Sequence, residues 1–145
     1  MGRILSIDYG KKRTGIAVSD PLQMIANGLT TISTSKVFEF LADYLSKEEV
    51  EIIVVGEPKQ PNGEDSENMK RVTPFVNRVR KLYPHISVEY FDERYTSVLA
   101  QRVILDSGTK KKERRENKGL VDFISATIIL QDYMESRRIA SKQSL

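Results

Sequence analysis

Three acidic residues end or interrupt apolar segments of this chain, which is an unusual place for a charged side chain. Asp8 ends the run 4–7, Glu93 closely follows the run 86–91, and Asp122 lies near the start of a long helical pattern. A carboxylate at the end of a buried strand is costly unless it is paired, hydrogen-bonded or bound to a cation. The three acids are therefore candidates for one shared cation site.

The other residue types limit which cation such a site would hold. The chain has no cysteine and a single histidine, His85. Oxygen ligands without nearby nitrogen or sulfur favour hard cations such as Mg²⁺ or Mn²⁺ over zinc. Carboxylates that hold one or two such ions position a phosphate for attack by an activated water, and no side-chain nucleophile is needed. This pattern predicts divalent-metal-dependent hydrolysis of phosphodiester bonds.

Each acid also has an interpretation without function. Asp8 and Gly10 fit ordinary turn chemistry, and Glu93 could pair weakly with its neighbour Arg94. Asp122, in the first turn of a predicted helix, is favoured by the helix macrodipole alone. A fold that brings all three acids together favours the shared site over these three separate explanations.

Basic residues are concentrated between two of the acids. Segment 109–118 carries six basic residues and two acidic ones, in a chain of net charge +3. Such a run is commonly a solvated loop, but between Glu93 and Asp122 it would also suit an approaching phosphate backbone. The residues expected to bind substrate on this reasoning are Arg13, in the hairpin loop 9–13, and Lys110, Lys111, Lys112, Arg114 and Arg115.

Length and composition describe one globular domain. The 145 residues, 39% hydrophobic and 30% charged, are enough for a single core over residues 1–138, followed by a polar tail over 139–145. The sequence shows no membrane-length apolar run and no signal-peptide core, and the absence of cysteine excludes a disulfide framework. A cytoplasmic protein is expected.

The periodicity of apolar residues predicts an α/β fold. Strands are expected over 2–8, 14–19, 25–32, 51–56 and 86–91, with a bulge or bend at Asn27–Gly28, and helices over 37–45, 72–82, 96–106 and 119–138. This order suits a mixed five-stranded sheet, three antiparallel strands followed by parallel ones, with helices on both faces. Asp8 would lie on a central strand and Glu93 just past a neighbouring strand. Asp122 would approach on a helix whose Ala126 permits close packing.

Four sequence blocks resemble the YqgF family of the ribonuclease H-like superfamily. They are IDYGKKRTGIAVSD from Ile7, VVGEP from Val54, FDERYTS from Phe91 and VDFISATIILQDYM from Val121, in the family's order. Members are described as Holliday junction resolvases and as nucleases that mature the 5′ end of pre-16S rRNA. The resemblance implies a ribonuclease H-like sheet in a nuclease that acts on nucleic acid.

The resemblance also implies roles for single residues. Asp8, Glu93 and Asp122 correspond to the catalytic acids that hold Mg²⁺ or Mn²⁺, and Arg94 and Thr96 join Arg13 as expected substrate-binding positions. The chain departs from common family residues at Glu57, Phe123 and Gly28, and none of these is one of the three acids.

Several alternatives remain open from the sequence. Asp8 to Gly15 also resembles the first phosphate loop of actin-like ATPases, although this chain shows no second copy of that loop. A nucleic-acid-binding factor without catalysis is a further interpretation. Structured or single-stranded RNA is favoured over a four-way DNA junction, because one short basic loop is a small footprint for four DNA arms. A monomer or weak homodimer is expected.

Overall fold

The computed structural model describes residues 2–57, 67–92 and 118–143, with backbone only for 118–123 and 139–143. Within these ranges the chain forms five strands and three α-helices. They are β1 (Arg3–Tyr9), β2 (Arg13–Ser19), β3 (Ala26–Ser33), α1 (Val37–Lys47), β4 (Val50–Glu57), α2 (Met69–Leu82), β5 (Ser87–Asp92) and α3 (Lys118–Gln143), with a 3₁₀ turn at Thr34–Lys36 before α1.

The strands form one mixed sheet in the order β3-β2-β1-β4-β5. β1 pairs antiparallel with β2, and β2 antiparallel with β3, whereas β4 and β5 continue from β1 in parallel. This is the ribonuclease H-like sheet expected from the sequence. The bulge or bend expected at Asn27–Gly28 is found directly beside it, because the register of β3 on β2 shifts between Thr30 and Gly28 and makes Leu29 the inserted residue.

Side-chain alternation along β1 divides the core into two halves. Leu5 and Ile7 point to the face covered by α1 and α2, where they join a cluster with Leu41 and Val76. Ile4 points to the opposite face, which α3 covers with a second cluster of its own. Both faces of the central strands are therefore buried, as expected for a sheet between helical layers.

The helices that the structure describes begin and end close to the expected positions. α2 begins at Met69, three residues before the expected start, and α3 continues to Gln143, beyond the expected end at 138. The helix expected over 96–106 lies outside the described residues. No helix in the described ranges is long and apolar enough to cross a membrane.

One detail of the expected sheet is wrong. The sequence pattern places β5 beside the strand that carries Asp8, but β4 lies between β5 and β1. Two interstrand spacings, about 10 Å, therefore separate the backbones of β1 and β5. The two strands differ in pattern: β4 is a continuous apolar run, typical of a strand buried on both faces, whereas Ser87 and Glu89 alternate with apolar residues in β5, as at a sheet edge. This difference favours β4 as the strand beside β1.

Candidate functional site

Asp8 lies near the carboxyl end of β1, the central strand, and is half-buried. It pairs in register with Gly15 of β2. On the other side, the register of Ile7 with Val55 makes Gly56 the next residue of β4 beside Asp8. Cross-strand neighbours point to the same face of a sheet, and glycine has no side chain. The residues directly opposite Asp8 on both adjacent strands are therefore glycines, which contribute no side chain to its face.

Helix α3 covers the face toward which Asp8 points. Ser6, two residues before Asp8 on the same face, is fully buried and donates its hydroxyl hydrogen to the carbonyl of Ala126. Ala126 is itself fully buried. The expected close approach of the helix at this alanine is confirmed, because a larger residue could not lie against the strand at this point.

The direction of α3 places its amino-terminal end near Asp8. Later residues of the helix, Met134 and Arg137, line one surface cavity with Ile4, at the opposite end of β1. The helix therefore runs antiparallel to β1. Along α3, position 122 lies about one turn, or about 6 Å, before Ala126. Along β1, Asp8 lies about 7 Å after Ser6. Both displacements lead toward the same end of the sheet.

The complete three-acid site stays a prediction. Glu93 lies outside the described residues, and the Asp122 side chain is not described although its backbone is helical. Among the described residues, no group of three acidic, histidine or cysteine side chains could hold a metal ion. The structure thus places Asp8 and the backbone at position 122 at one end of one face, and leaves the third acid untested.

Two further acids lie at the same end of the sheet but on its other face. Glu57 and Asp92, the last residues of β4 and β5, are register partners. Tyr90, two residues before Asp92, packs on the cluster under α1 and α2, whereas Phe91 packs on the cluster under α3. Alternation therefore directs Asp92 away from the face of Asp8, and so separates these acids from the candidate site.

The hairpin loop after Asp8 is held by short polar contacts. A Cβ added at Gly10 would lie 2.4 Å from the carbonyl oxygen of Arg13, so the turn requires glycine there. Thr34 donates its hydroxyl hydrogen to the Gly10 carbonyl at 2.7 Å and its backbone N–H to the Lys12 carbonyl at 3.0 Å. The Thr34 hydroxyl also lies 2.9 Å from that of Thr14. The predicted substrate-binding residue Arg13 begins β2 beside this loop and is exposed.

A second anchor, which sequence reasoning missed, comes from the start of α2. Asn68 donates a side-chain N–H to the carbonyl of Tyr9 at 3.0 Å, across 59 positions of sequence. The Tyr9 ring stacks on Phe75 of α2 with centroids 4.2 Å apart. Asn68 occupies the N-cap position without capping the helix through its side chain. An asparagine before a helix predicts a cap, so the sequence carried no signal for this contact.

The other expected substrate-binding residues lie outside the described ranges. They are Arg94, Thr96, Lys110, Lys111, Lys112, Arg114 and Arg115. Their roles therefore remain predictions from the charge pattern and from the family resemblance.

Comparisons with known proteins agree with one another over almost the whole chain. A family model described as "RuvX: Holliday junction resolvase" matches residues 2–136. Proteins from Phocaeicola vulgatus and Bacteroides thetaiotaomicron are each 61% identical over 138 residues, which is 95% of this chain and 99% of each relative. A protein from Flavobacterium johnsoniae is 55% identical over 138 residues, with the same coverage. All three bear the name "Putative pre-16S rRNA nuclease".

One solved structure shows a weaker likeness. YeaZ from Pseudomonas aeruginosa aligns with a TM-score of 0.45 and 15% identity, over 74% of this chain and 50% of that chain.

Proposed function

The chain belongs to the RuvX (YqgF) family of Holliday junction resolvases, and we propose that it is a divalent-metal-dependent nuclease that matures the 5′ end of pre-16S rRNA. The observation that carries the proposal is the match to relatives named as pre-16S rRNA nucleases, which extends over 95% of the chain at 61% identity. Such a role in ribosomal RNA maturation would place the protein in the cytoplasm.

The described part of the site fits a hard metal ion. Asp8 offers oxygen ligands at a strand end where Gly15 and Gly56 contribute no side chain on its face. The only histidine, His85, precedes β5 and so lies at the opposite end of that strand from Asp92, while the chain has no cysteine. This donor chemistry suits Mg²⁺ or Mn²⁺ and disfavours zinc.

The proposed roles of the residues combine the placement of Asp8 and Arg13 with the family resemblance of the other positions. Asp8, Glu93 and Asp122 would hold the ion or ions. When bound, Mg²⁺ or Mn²⁺ would supply an activated water and neutralise charge on the phosphate that is cleaved. Arg13, which begins the strand paired with β1, would bind a flanking phosphate. Further phosphates along the substrate would be bound by Arg94, Thr96 and the basic segment 110–115.

The fold supports such a site by holding its parts rigidly. β1 is paired on both sides, and α3 is fixed to it through the Ser6–Ala126 hydrogen bond. Catalytic carboxylates perform best when packed elements, rather than loops, determine their positions. Asp8 on β1 and the backbone at position 122 on α3 meet this condition.

A Holliday junction resolvase is the second candidate function, because the family description favours it. A resolvase makes paired symmetric cuts and so normally acts as a two-fold dimer. RNA remains the preferred substrate of our proposal, with a monomer or weak homodimer as the active species.

The direct test incubates the purified chain with a precursor small-subunit rRNA fragment or a four-way DNA junction, each with Mg²⁺ or Mn²⁺. Solution mass is measured on the same preparation. We expect metal-dependent cleavage of the RNA near the mature 5′ end and little cleavage of the junction. Symmetric paired cuts by a stable dimer, with the RNA left intact, would favour the resolvase instead. Binding of either substrate without any cleavage would indicate a non-catalytic factor.

A further inference from the structure

Five basic residues from three separate segments surround the hairpin loop beside Asp8. We call this group the hairpin ridge; it consists of Lys11, Lys12, Lys36, Lys70 and Arg71, all exposed. Two belong to the loop itself, one to the 3₁₀ turn before α1, and two to the first turn of α2. Because these segments are far apart in sequence, a count of charges along the chain does not reveal the cluster.

Specific contacts bring the three segments together. The backbone N–H of Thr34, two residues before Lys36, donates to the Lys12 carbonyl at 3.0 Å. The side chain of Asn68, just before α2, donates to the Tyr9 carbonyl at 3.0 Å. Both α1 and α2 cover the same face of the sheet. The hairpin ridge therefore lies at the Asp8 end of the sheet, on the side opposite α3.

No ridge residue forms an ion pair with another described residue, although the acids Glu57, Glu67 and Asp92 lie at the same end of the sheet. The ion pairs found among described residues are Arg3–Glu48, Lys47–Asp43 and Arg138–Glu135, and none of them includes a ridge residue. The first turn of α2 contains no acidic residue beside Lys70 and Arg71. Clustered cations of this kind attract a polyanion, since they release its counterions on binding.

Arg71 is the most strongly positioned member. Its Nη1 donates to the Oδ1 of Asn68 at 3.3 Å, while the same amide holds the Tyr9 carbonyl one residue from Asp8. An arginine side chain has five N–H donors in a planar fork. The remaining donors make no hydrogen bond to any described residue, so the fork can engage a phosphate through two parallel bonds.

We propose that the hairpin ridge binds backbone phosphates of the nucleic acid substrate on the α1 and α2 side of the cleaved bond, with Arg71 as its bidentate contact. This inference rests on the proposed nuclease function. It adds a binding surface built from other residues than the basic segment 109–118, which precedes α3 in sequence. The substrate strand then crosses the carboxyl end of β1 from one helical layer toward the other.

The test compares wild-type protein with a Lys36→Ala/Arg71→Ala double variant. A Lys47→Ala/Lys81→Ala variant is the matched control, because it removes the same charge from exposed positions away from the hairpin. Binding of labelled single-stranded RNA and of a four-way DNA junction is measured from about 50 to about 200 mM salt, without divalent metal. The two ligands establish which nucleic acid the ridge serves.

Removing one phosphate-binding cation lowers the slope of log affinity against log salt by about 0.7 for single strands and about 0.9 for duplex DNA. We therefore expect the RNA slope of the ridge variant to fall by about 1.4, and that of the control to fall by less than half as much. Arg71→Lys should retain the slope but bind more weakly, because it keeps the charge and removes the fork. Equal slopes for the ridge and control variants would overturn the proposal.

The outcomes separate this inference from the proposed function. If the wild-type protein cleaves RNA and the ridge variant has an unchanged salt slope, the proposed role of the ridge is wrong and the proposed nuclease function is retained. Wild-type protein that binds neither nucleic acid at low salt would overturn both. Circular dichroism on each variant verifies the fold, which these exposed substitutions should preserve.

Discussion

Asp8 lies directly opposite Gly15 in the antiparallel pair of β1 and β2, and the next residue of β4 beside it is Gly56. The residues directly opposite Asp8 on both adjacent strands therefore contribute no side chain to the face on which the metal ion is proposed to bind. An acid with bulky cross-strand neighbours would instead be covered by them. The two glycines are therefore part of the candidate site, although neither can bind anything with a side chain.

Gly15→Val should weaken metal binding at the candidate site. The added branched side chain would occupy the space beside Asp8, so we expect Mg²⁺ affinity to fall by about tenfold or more, equivalent to about 1.4 kcal/mol. Because Gly15 is buried, the added side chain should also lower the free energy of unfolding by about 1–3 kcal/mol, so metal affinity is measured where circular dichroism shows that the variant is folded. Isothermal titration with Mg²⁺ measures the first effect, and Asn27→Val on edge strand β3 is the control. Unchanged metal affinity in Gly15→Val would show that the space is not used.

Ala126→Leu should separate α3 from the sheet. The larger side chain would meet Ser6 at the point where the helix backbone is hydrogen-bonded to β1. Overpacking of this kind costs about 1–3 kcal/mol of unfolding free energy. Gln131→Leu, at an exposed position of the same helix, is the control for hydrophobicity and helix propensity. Equal stability of the two variants, measured by chemical denaturation, would contradict the close contact.

Acid should remove one local source of stability, the loop after β2. The carboxylate of Asp20 accepts backbone N–H groups from Ile25 at 2.8 Å, Met24 at 2.7 Å and Leu22 at 3.2 Å. These bonds, that of Ile25 first, lower the pKa of Asp20 below its ordinary value of 3.8.

A lowered folded-state pKa means that this stabilisation is present above pH 3.8 and is lost as the pH falls through the folded pKa. The melting temperature of Asp20→Ala should therefore be lower than wild type at neutral pH, and the gap should close in stronger acid. Asp20→Asn keeps one acceptor oxygen, so its melting temperature should differ less from that of the wild type, and this difference should depend less on pH. A gap that stays constant down to about pH 2, well below the ordinary aspartate pKa, would contradict the assignment.

The basic segment 109–118 should contribute binding rather than chemistry. Replacing Lys110, Lys111, Lys112, Arg114 and Arg115 with alanine should weaken RNA binding and reduce the salt slope by about 0.7 for each phosphate that the variant no longer binds. The rate of single-turnover cleavage at saturating protein should change much less than the affinity for RNA. A variant with an unchanged salt slope would remove this segment from the binding surface.

Sequence reasoning predicted the parts of the fold that depend on periodicity. The alternation along β1, the hairpin after Asp8, the bulge beside Gly28 and the close contact at Ala126 all follow from local residue types. The adjacency of β4 rather than β5 to β1 was not predicted, although the sequence carries a signal for it. The continuous apolar run of β4 is typical of a central strand, and the alternating pattern of β5 is typical of an edge strand.

Of the three predicted acids, only the side chain of Asp8 lies within the described residues, and its surroundings were harder to predict than the acid itself. Asp8 could be identified because a charge interrupts an apolar strand. The contact of Asn68 with the Tyr9 carbonyl joins positions 59 residues apart and resembles a helix cap in sequence. Lys36 and Arg71 likewise look like ordinary surface charges until the fold brings them to the hairpin.

The central claim is that Asp8, Glu93 and Asp122 form one metal site, and its most direct test is metal binding and RNA cleavage by single-acid variants. Asp8→Asn, Glu93→Gln and Asp122→Asn should each abolish cleavage and weaken Mg²⁺ or Mn²⁺ binding while the protein stays folded. Asp92→Asn is the matched control, since Asp92 precedes Glu93 and points to the other face of the sheet; it should bind metal and cleave like wild type. Wild-type metal binding and cleavage in any one of the three variants, or an equal loss in Asp92→Asn, would contradict the shared site.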